Sequence, residues 1–204
     1  TPQFDSLPNF GAVAHHVYQL SLPETAVLPG KFRFHLDLFN PTTDESVPLM
    51  DSFNLPYISP AITAYATLGQ PAIAEESRGQ PTTFTFGDPP LFRLVGLKTD
   101  SEFLTLYWQS LHPADKNYSI FVHLLDENGK MVGQHDGEPG NGRLPISMWL
   151  PGEILADSHP LTLPSDGRYT IAVGVYDWQT GQRLPVTDDA GLPLANDQAT
   201  INVP

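Results

Sequence analysis

The chain has no cysteine. A disulfide framework, a thiolate metal site and a thiol nucleophile are therefore excluded. Compartment stays open, because a disulfide-free chain suits the cytosol and many bacterial exteriors alike. Positive charge is also scarce. Ten Lys and Arg stand against 23 Asp and Glu, for a formal net charge of −13, which repels phosphate backbones and anionic lipid surfaces. Nucleic acid is accordingly not an expected partner. No run approaches the roughly 18 apolar residues of a membrane span, and no basic-then-apolar leader opens the chain. It starts at Thr1 without an initiator methionine, which suggests a piece of a longer protein whose anchor or catalytic domain lies elsewhere. Also missing are a G-x-S-x-G elbow, a P-loop, a G-x-G-x-x-G turn and an H-E-x-x-H pair.

What is abundant is punctuation. Twenty-one prolines and 16 glycines in 204 residues interrupt the chain too often for long helices. Between the interruptions, side chains alternate. In "GRYTIAVGVYDW", Tyr169, Ile171, Val173 and Val175 share one parity and Arg168, Thr170, Ala172 and Gly174 the other, the pattern of a half-buried strand. "EFLTLYWQ" is apolar on both parities, as suits a central strand, and "YSIFVHLLD" is a third strand. Further strands are expected at 83–86, 91–97, 130–136, 153–156, 160–163, 182–187 and 197–203. The expected fold is all-β, an antiparallel β-sandwich of immunoglobulin-like or jelly-roll-like kind.

The first eighty residues partly repeat the end of the chain. "LSLPETAVLPGKFRFHLDLFNPTTDESVPLMDSFNLP" (20–56) aligns with "LTLPSDGRYTIAVGVYDWQTGQRLPVTDDAGLP" (161–193) after a four-residue shortening before the glycine. Phe32, Phe34, Leu36 and Leu38 then fall on Tyr169, Ile171, Val173 and Val175, which preserves the buried face. Residues 1–81 are thus read as a partial β-repeat and 82–204 as a complete sandwich.

Polar residues crowd "FVHLLDENGKMVGQHDGEP" (121–139). Asn128-Gly129 signals a hairpin. With a two-residue loop His123 sits opposite Gln134 and His135 points to the other face; with a three-residue loop and a glycine bulge both histidines share a face. Neither register completes a metal site: a third ligand is lacking, and an EF-hand glutamate would have to stand at Gly137. No metal and no cofactor are expected, and the polar side chains are read mainly as exposed or hydrogen-bonded strand residues. Asp136, Glu138 and Glu153 are candidates for paired glycosidase carboxylates, whose separation is a property of the fold. Stacking on a sugar face is the better-supported use of this region, with Trp149, Tyr176, Trp178, His135 and Asp136 as candidate carbohydrate-binding residues. Against it stands a structural use, in which Trp149 plugs the end of the sandwich and Trp178 covers the turn at Gly181. Arg183 is expected to pair with an acid such as Asp177.

"YSIFVHLLDENG", "QHDGEP", "WLPGE" and "GRYTIAVGVYDWQTGQRLP" together resemble a β-sandwich domain near the C-termini of large bacterial membrane glycosyltransferases of the protein-mannosyltransferase-like class, notably of Chloroflexi and cyanobacteria. The likeness spans about residues 86–203. In the N-terminal copy Asn40 replaces Asp177, and Asp44 and Ser46 replace Gly181 and Arg183. The resemblance implies that transfer chemistry resides in a membrane-embedded part of the same polypeptide. It also implies that the sandwich lies outside the cytoplasm. With no nucleophile or cofactor loop evident in the chain, the expected function is a non-catalytic accessory domain that positions a glycan or lipid-linked acceptor. The resemblance supplies no catalytic residue. A stand-alone carbohydrate-binding module and a glycosidase remain the alternatives.

Overall fold

The computed structural model describes residues 30–36, 42–43, 62–68, 72–163 and 168–203. The aligned turn residues Asn40, Asp44 and Ser46, and Leu38 before them, lie outside that set. Among the described residues eleven strands run in chain order: β1 (Gly30–Leu36), β2 (Ile62–Leu68), β3 (Gln80–Phe86), β4 (Phe92–Thr99), β5 (Phe103–Ser110), β6 (Ser119–Leu125), β7 (Met131–Gly137), β8 (Ile154–Pro160), β9 (Tyr169–Tyr176), β10 (Val186–Thr187) and β11 (Ala199–Val203). They form an antiparallel β-sandwich. One sheet has the order β10-β3-β4-β5-β8 and the other β11-β9-β6-β7, while β1 and β2 pair with each other in a separate two-stranded sheet. Both larger sheets thus come from residues 80–203. Among the described residues no helix is long and apolar enough to cross a membrane.

Alternation decides which side chains fill the space between the sheets. On β5, Leu104, Leu106 and Trp108 are fully buried and point inward, while Phe103 is 41% exposed. From the facing sheet come Ile120, Val122 and Leu124 of β6 and Ile171, Val173 and Val175 of β9. Each fully buried side chain of this size stabilises the fold by about 1.5–3 kcal/mol relative to an exposed one. Trp108 meets Phe86 edge to face at a centroid distance of 5.1 Å, an arrangement that adds about 0.5–1.5 kcal/mol beyond the buried area.

Aspartate-led turns set several of the connections. Asp126 and Asp188 each accept two backbone N–H groups through Oδ1, at positions two and four residues on. A glycine with positive φ closes each loop, Gly129 at 75° and Gly191 at 78°. Such glycines take the left-handed conformation without a Cβ penalty.

Two expected elements are corrected. The strands at 153–156 and 160–163 are one strand, β8, and no strand covers 161–163. The polar run "DSHP" reads as a break, yet Asp157 and His159 occupy inward positions of a continuous strand. The expected strand at 182–187 shrinks to Val186–Thr187 plus an isolated bridge of Arg183 to Tyr176, because Pro185 has no N–H to give a ladder. β2 was not anticipated at all.

Candidate ligand-binding face

The hairpin of β6 and β7 fixes which polar groups meet. Its loop is the three-residue Glu127-Asn128-Gly129, closed by Asp126 N donating to Lys130 O at 2.9 Å. A bulge at Val132 follows, with Leu125 opposite Met131 but Leu124 opposite Gly133. The bulge cancels the offset of the longer loop. His123 therefore faces Gln134 after all, and His135 points to the opposite face from His123.

Outward parity places Phe121 and His123 of β6 beside Gln134 and Asp136 of β7 and Ala172, Gly174 and Tyr176 of β9. The Phe121 ring lies on Gly174, where an added Cβ would sit 2.2 Å from the ring. A glycine inside a strand here marks a close approach. The His123 ring packs 4.8 Å from Phe121 and the Tyr176 ring 6.3 Å away, so an aromatic row crosses from β6 to β9. Asp136 Oδ1 stands 3.6 Å from His123 Nε2. Arg183 lays its guanidinium over Phe121 at 4.3 Å and donates to Asn196 O at 2.9 Å. The expected pairing of Arg183 with Asp177 is thus replaced by a cation–π stack.

Asp177 is held instead by Lys116, whose Nζ donates to Oδ2 at 2.6 Å, and by Gln179 N, which donates to Oδ1 at 2.9 Å. These hydrogen bonds, Lys116 first, keep the Asp177 carboxyl below its ordinary pKa. The turn they anchor carries Trp178, whose side chain is 59% exposed. It also walls a cleft of about 560 Å³ shared with Asp88, Leu91, Pro113 and Tyr118.

The five residues expected to meet a sugar are therefore divided. Asp136 and Tyr176 share the outer sheet face, and Trp178 follows two residues beyond Tyr176 with an open ring. Trp149 does not join them. It is 3% exposed, stands edge-on to Phe92 at 5.4 Å, and donates from Nε1 to Leu144 O at 2.9 Å. A ring so enclosed has no face left for a ligand, and it plugs the core. His135 also leaves the set, because its side chain turns between the sheets. There Nδ1 lies 2.9 Å from Nδ1 of His159 on β8. His159 Nε2 in turn is 2.9 Å from Asp157 Oδ2, although the N–H is not aimed at the oxygen. Asp157 Oδ1 accepts Gly140 N at 2.8 Å. Burial lowers the His135 pKa, His159 adds to the effect, and Asp157 and Asp136 oppose it. Neither Asp157 nor His159 was expected to matter. Their one signal was parity with Leu155, hidden by the habit of reading Asp, Ser and His as surface.

Glu153 has a structural task. Its carboxylate pairs with Lys31 Nζ and accepts from Thr67 Oγ1, joining the β1–β2 strand pair to the sandwich, and it accepts Leu150 N at 3.1 Å. Burial pushes this carboxyl up, but the three hydrogen bonds outweigh it and its pKa lies below the ordinary value. A glycosidase general acid needs the opposite shift. Among the described residues no group of three or more His, Cys, Asp or Glu is arranged to hold a metal ion.

Comparison of the chain with protein-family models, with curated proteins and with solved structures gives no match. The fold and the face thus define a class on their own terms: an all-β sandwich that presents an aromatic row flanked by charged side chains.

Proposed function

We propose that the chain is a non-catalytic accessory module that holds a glycan, or a lipid-linked sugar acceptor, on the outer face of the β11-β9-β6-β7 sheet. The observation that carries this reading is the His123 and Tyr176 rings on this face, with Asp136 beside His123 and the open Trp178 ring beyond, while Phe121, 2% exposed beneath Arg183, is the packed support between them. Sugars present apolar C–H faces ringed by hydroxyls, so they bind where rings lie flat and charged acceptors and donors stand at the margin. The sequence resemblance adds the setting: outside the cytoplasm, tethered through the membrane-embedded transferase part of the same polypeptide. A stand-alone carbohydrate-binding module would use the same face. The glycosidase reading is weakened by the commitments of Glu153.

The test is titration of the purified chain with bacterial-type oligosaccharides and with a lipid-linked sugar, by calorimetry or glycan array. Binding that weakens about two- to tenfold in each of Trp178→Ala and Tyr176→Ala supports the reading, a stacked ring being worth about 0.5–1.5 kcal/mol. Preference for the lipid-linked sugar separates the acceptor role from a free-standing module. Aryl glycoside turnover abolished by Asp136→Asn or Glu153→Gln would replace both by a glycosidase.

A further inference from the structure

The edge strands β7 and β8 belong to different sheets and share no backbone ladder. They meet through side chains, His135 reaching from β7 to His159 on β8. We propose that His135, His159 and Asp157 form an acid-released latch, which holds the two sheet edges together at neutral pH and frees β7 when both imidazoles become imidazolium cations.

The geometry permits one proton, and only one, between the two Nδ1 atoms 2.9 Å apart. One nitrogen must donate and the other accept. With both rings cationic, two N–H groups and two positive charges face each other in a space where Asp157 and His159 are 1% and 2% exposed. One carboxylate stands close enough to offset one imidazolium, and that is Asp157, already shared with Gly140 N. The other groups facing the latch do not supply a second. Across β6, His135 is opposite Val122, which does not titrate. The Pro139–Gly142 turn presents a backbone N–H to Asp157 and contains no titratable side chain. Asp136 lies on the outer side of β7, beside His123.

β7 is suited to be the part that moves. It pairs with β6 alone, and Met131 and Val132 near its start are each 48% exposed. Strands held from one side by few buried contacts open at lower free energy than central ones. The burial that keeps His135 neutral in the closed state has its counterpart in acid. Each pH unit below the open-state imidazole value of about 6.5 favours the open state by up to about tenfold per proton taken up.

Hydrogen exchange of the whole chain at pH 7.5 and pH 5.0, corrected for intrinsic exchange rates, reads the latch directly. Protection of amides in 131–137 is expected to fall about tenfold or more in acid, with 169–176 unchanged. In His135→Gln, whose amide oxygen accepts from His159 without titrating, the fall is expected to shrink below about threefold. Equal protection at both pH values in the native chain, or an unreduced fall in the variant, overturns the latch. Should the variant not fold, imidazole titration of the native chain by NMR decides. His135 titrating together with β7 amide shifts, below pH 6.5, supports the latch, and His135 titrating without them refutes it.

Discussion

Gly174→Ala is a one-methyl change that tests the packing of the outer face. The glycine has no left-handed φ, and a Cβ would meet Phe121 Cε1 and Cζ at 2.2 Å and Asp197 O at 3.1 Å. The backbone itself accepts alanine, and reduced freedom of the unfolded chain would favour it by about 0.4–1 kcal/mol. The contact decides otherwise. Phe121 is 2% exposed, so its ring cannot lift without losing burial and the Arg183 stack above it. Overpacking costs about 1–3 kcal/mol and an uncovered cation–π pair about 0.5–2 more. The net expectation is about 3 kcal/mol of destabilisation. At about 2–4 °C per kcal/mol for a chain of this size, the melting temperature drops by about 6–12 °C. Urea denaturation of Gly174→Ala, Phe121→Ala and the double variant forms a cycle. Phe121→Ala alone should cost about 3–5 kcal/mol, and the double variant should cost no more than Phe121→Ala, since the new methyl enters the space the ring vacated. A single-variant loss under about 1 kcal/mol, or additive losses in the double variant, would refute the proposed stacking of Phe121 on Gly174.

The two tryptophans at candidate positions should separate cleanly. Trp149→Ala removes an enclosed ring and its hydrogen bond to Leu144, and should cost about 3–5 kcal/mol by chemical denaturation. Trp178→Ala should stay within about 0.5 kcal/mol of the native chain while losing glycan binding. Lys31→Ala should loosen the β1–β2 strand pair by about 2 kcal/mol, less than a fully enclosed pair because the Glu153 side chain remains 20% exposed; hydrogen exchange over 62–68 reads it. Glu153 has a depressed pKa, so its contribution is present above the ordinary value of 4.5 and is lost as pH falls through the lowered folded value. Protection of the β1–β2 strand pair should accordingly hold from pH 7 to 5 and fall below about 4.5, and the fall should shrink in Lys31→Ala, where only Thr67 and Leu150 still hold the carboxylate.

Strands with two-residue periodicity were legible in the residues alone. The runs around Leu104–Trp108, Ile120–Leu124 and Ile171–Val175 carry enough apolar side chains on one parity to announce both their conformation and their buried face. The site was less legible because it depends on register. The loop length of the β6–β7 hairpin and the bulge at Val132 shift the register in opposite senses, and the string names neither. Side chains from distant strands, such as Arg183 over Phe121 or His159 against His135, meet only after the sheets stack. Trp149 and Trp178 show the same limit at single positions. Both stand near proline or glycine, yet one is sealed by Phe92 and Leu144 and the other stands open on an aspartate-anchored turn.

In the proposed function, the outer face of the β11-β9-β6-β7 sheet takes a sugar. Backbone amide shifts of the isotope-labelled chain, followed by NMR as an oligosaccharide is added, test it most directly. Sugar seated on that face produces saturable shifts at His123, Asp136, Tyr176 and Trp178, with the amides of β4 and β5 unmoved. Saturable shifts confined to the opposite sheet, or none with any oligosaccharide or lipid-linked sugar tried, would contradict it.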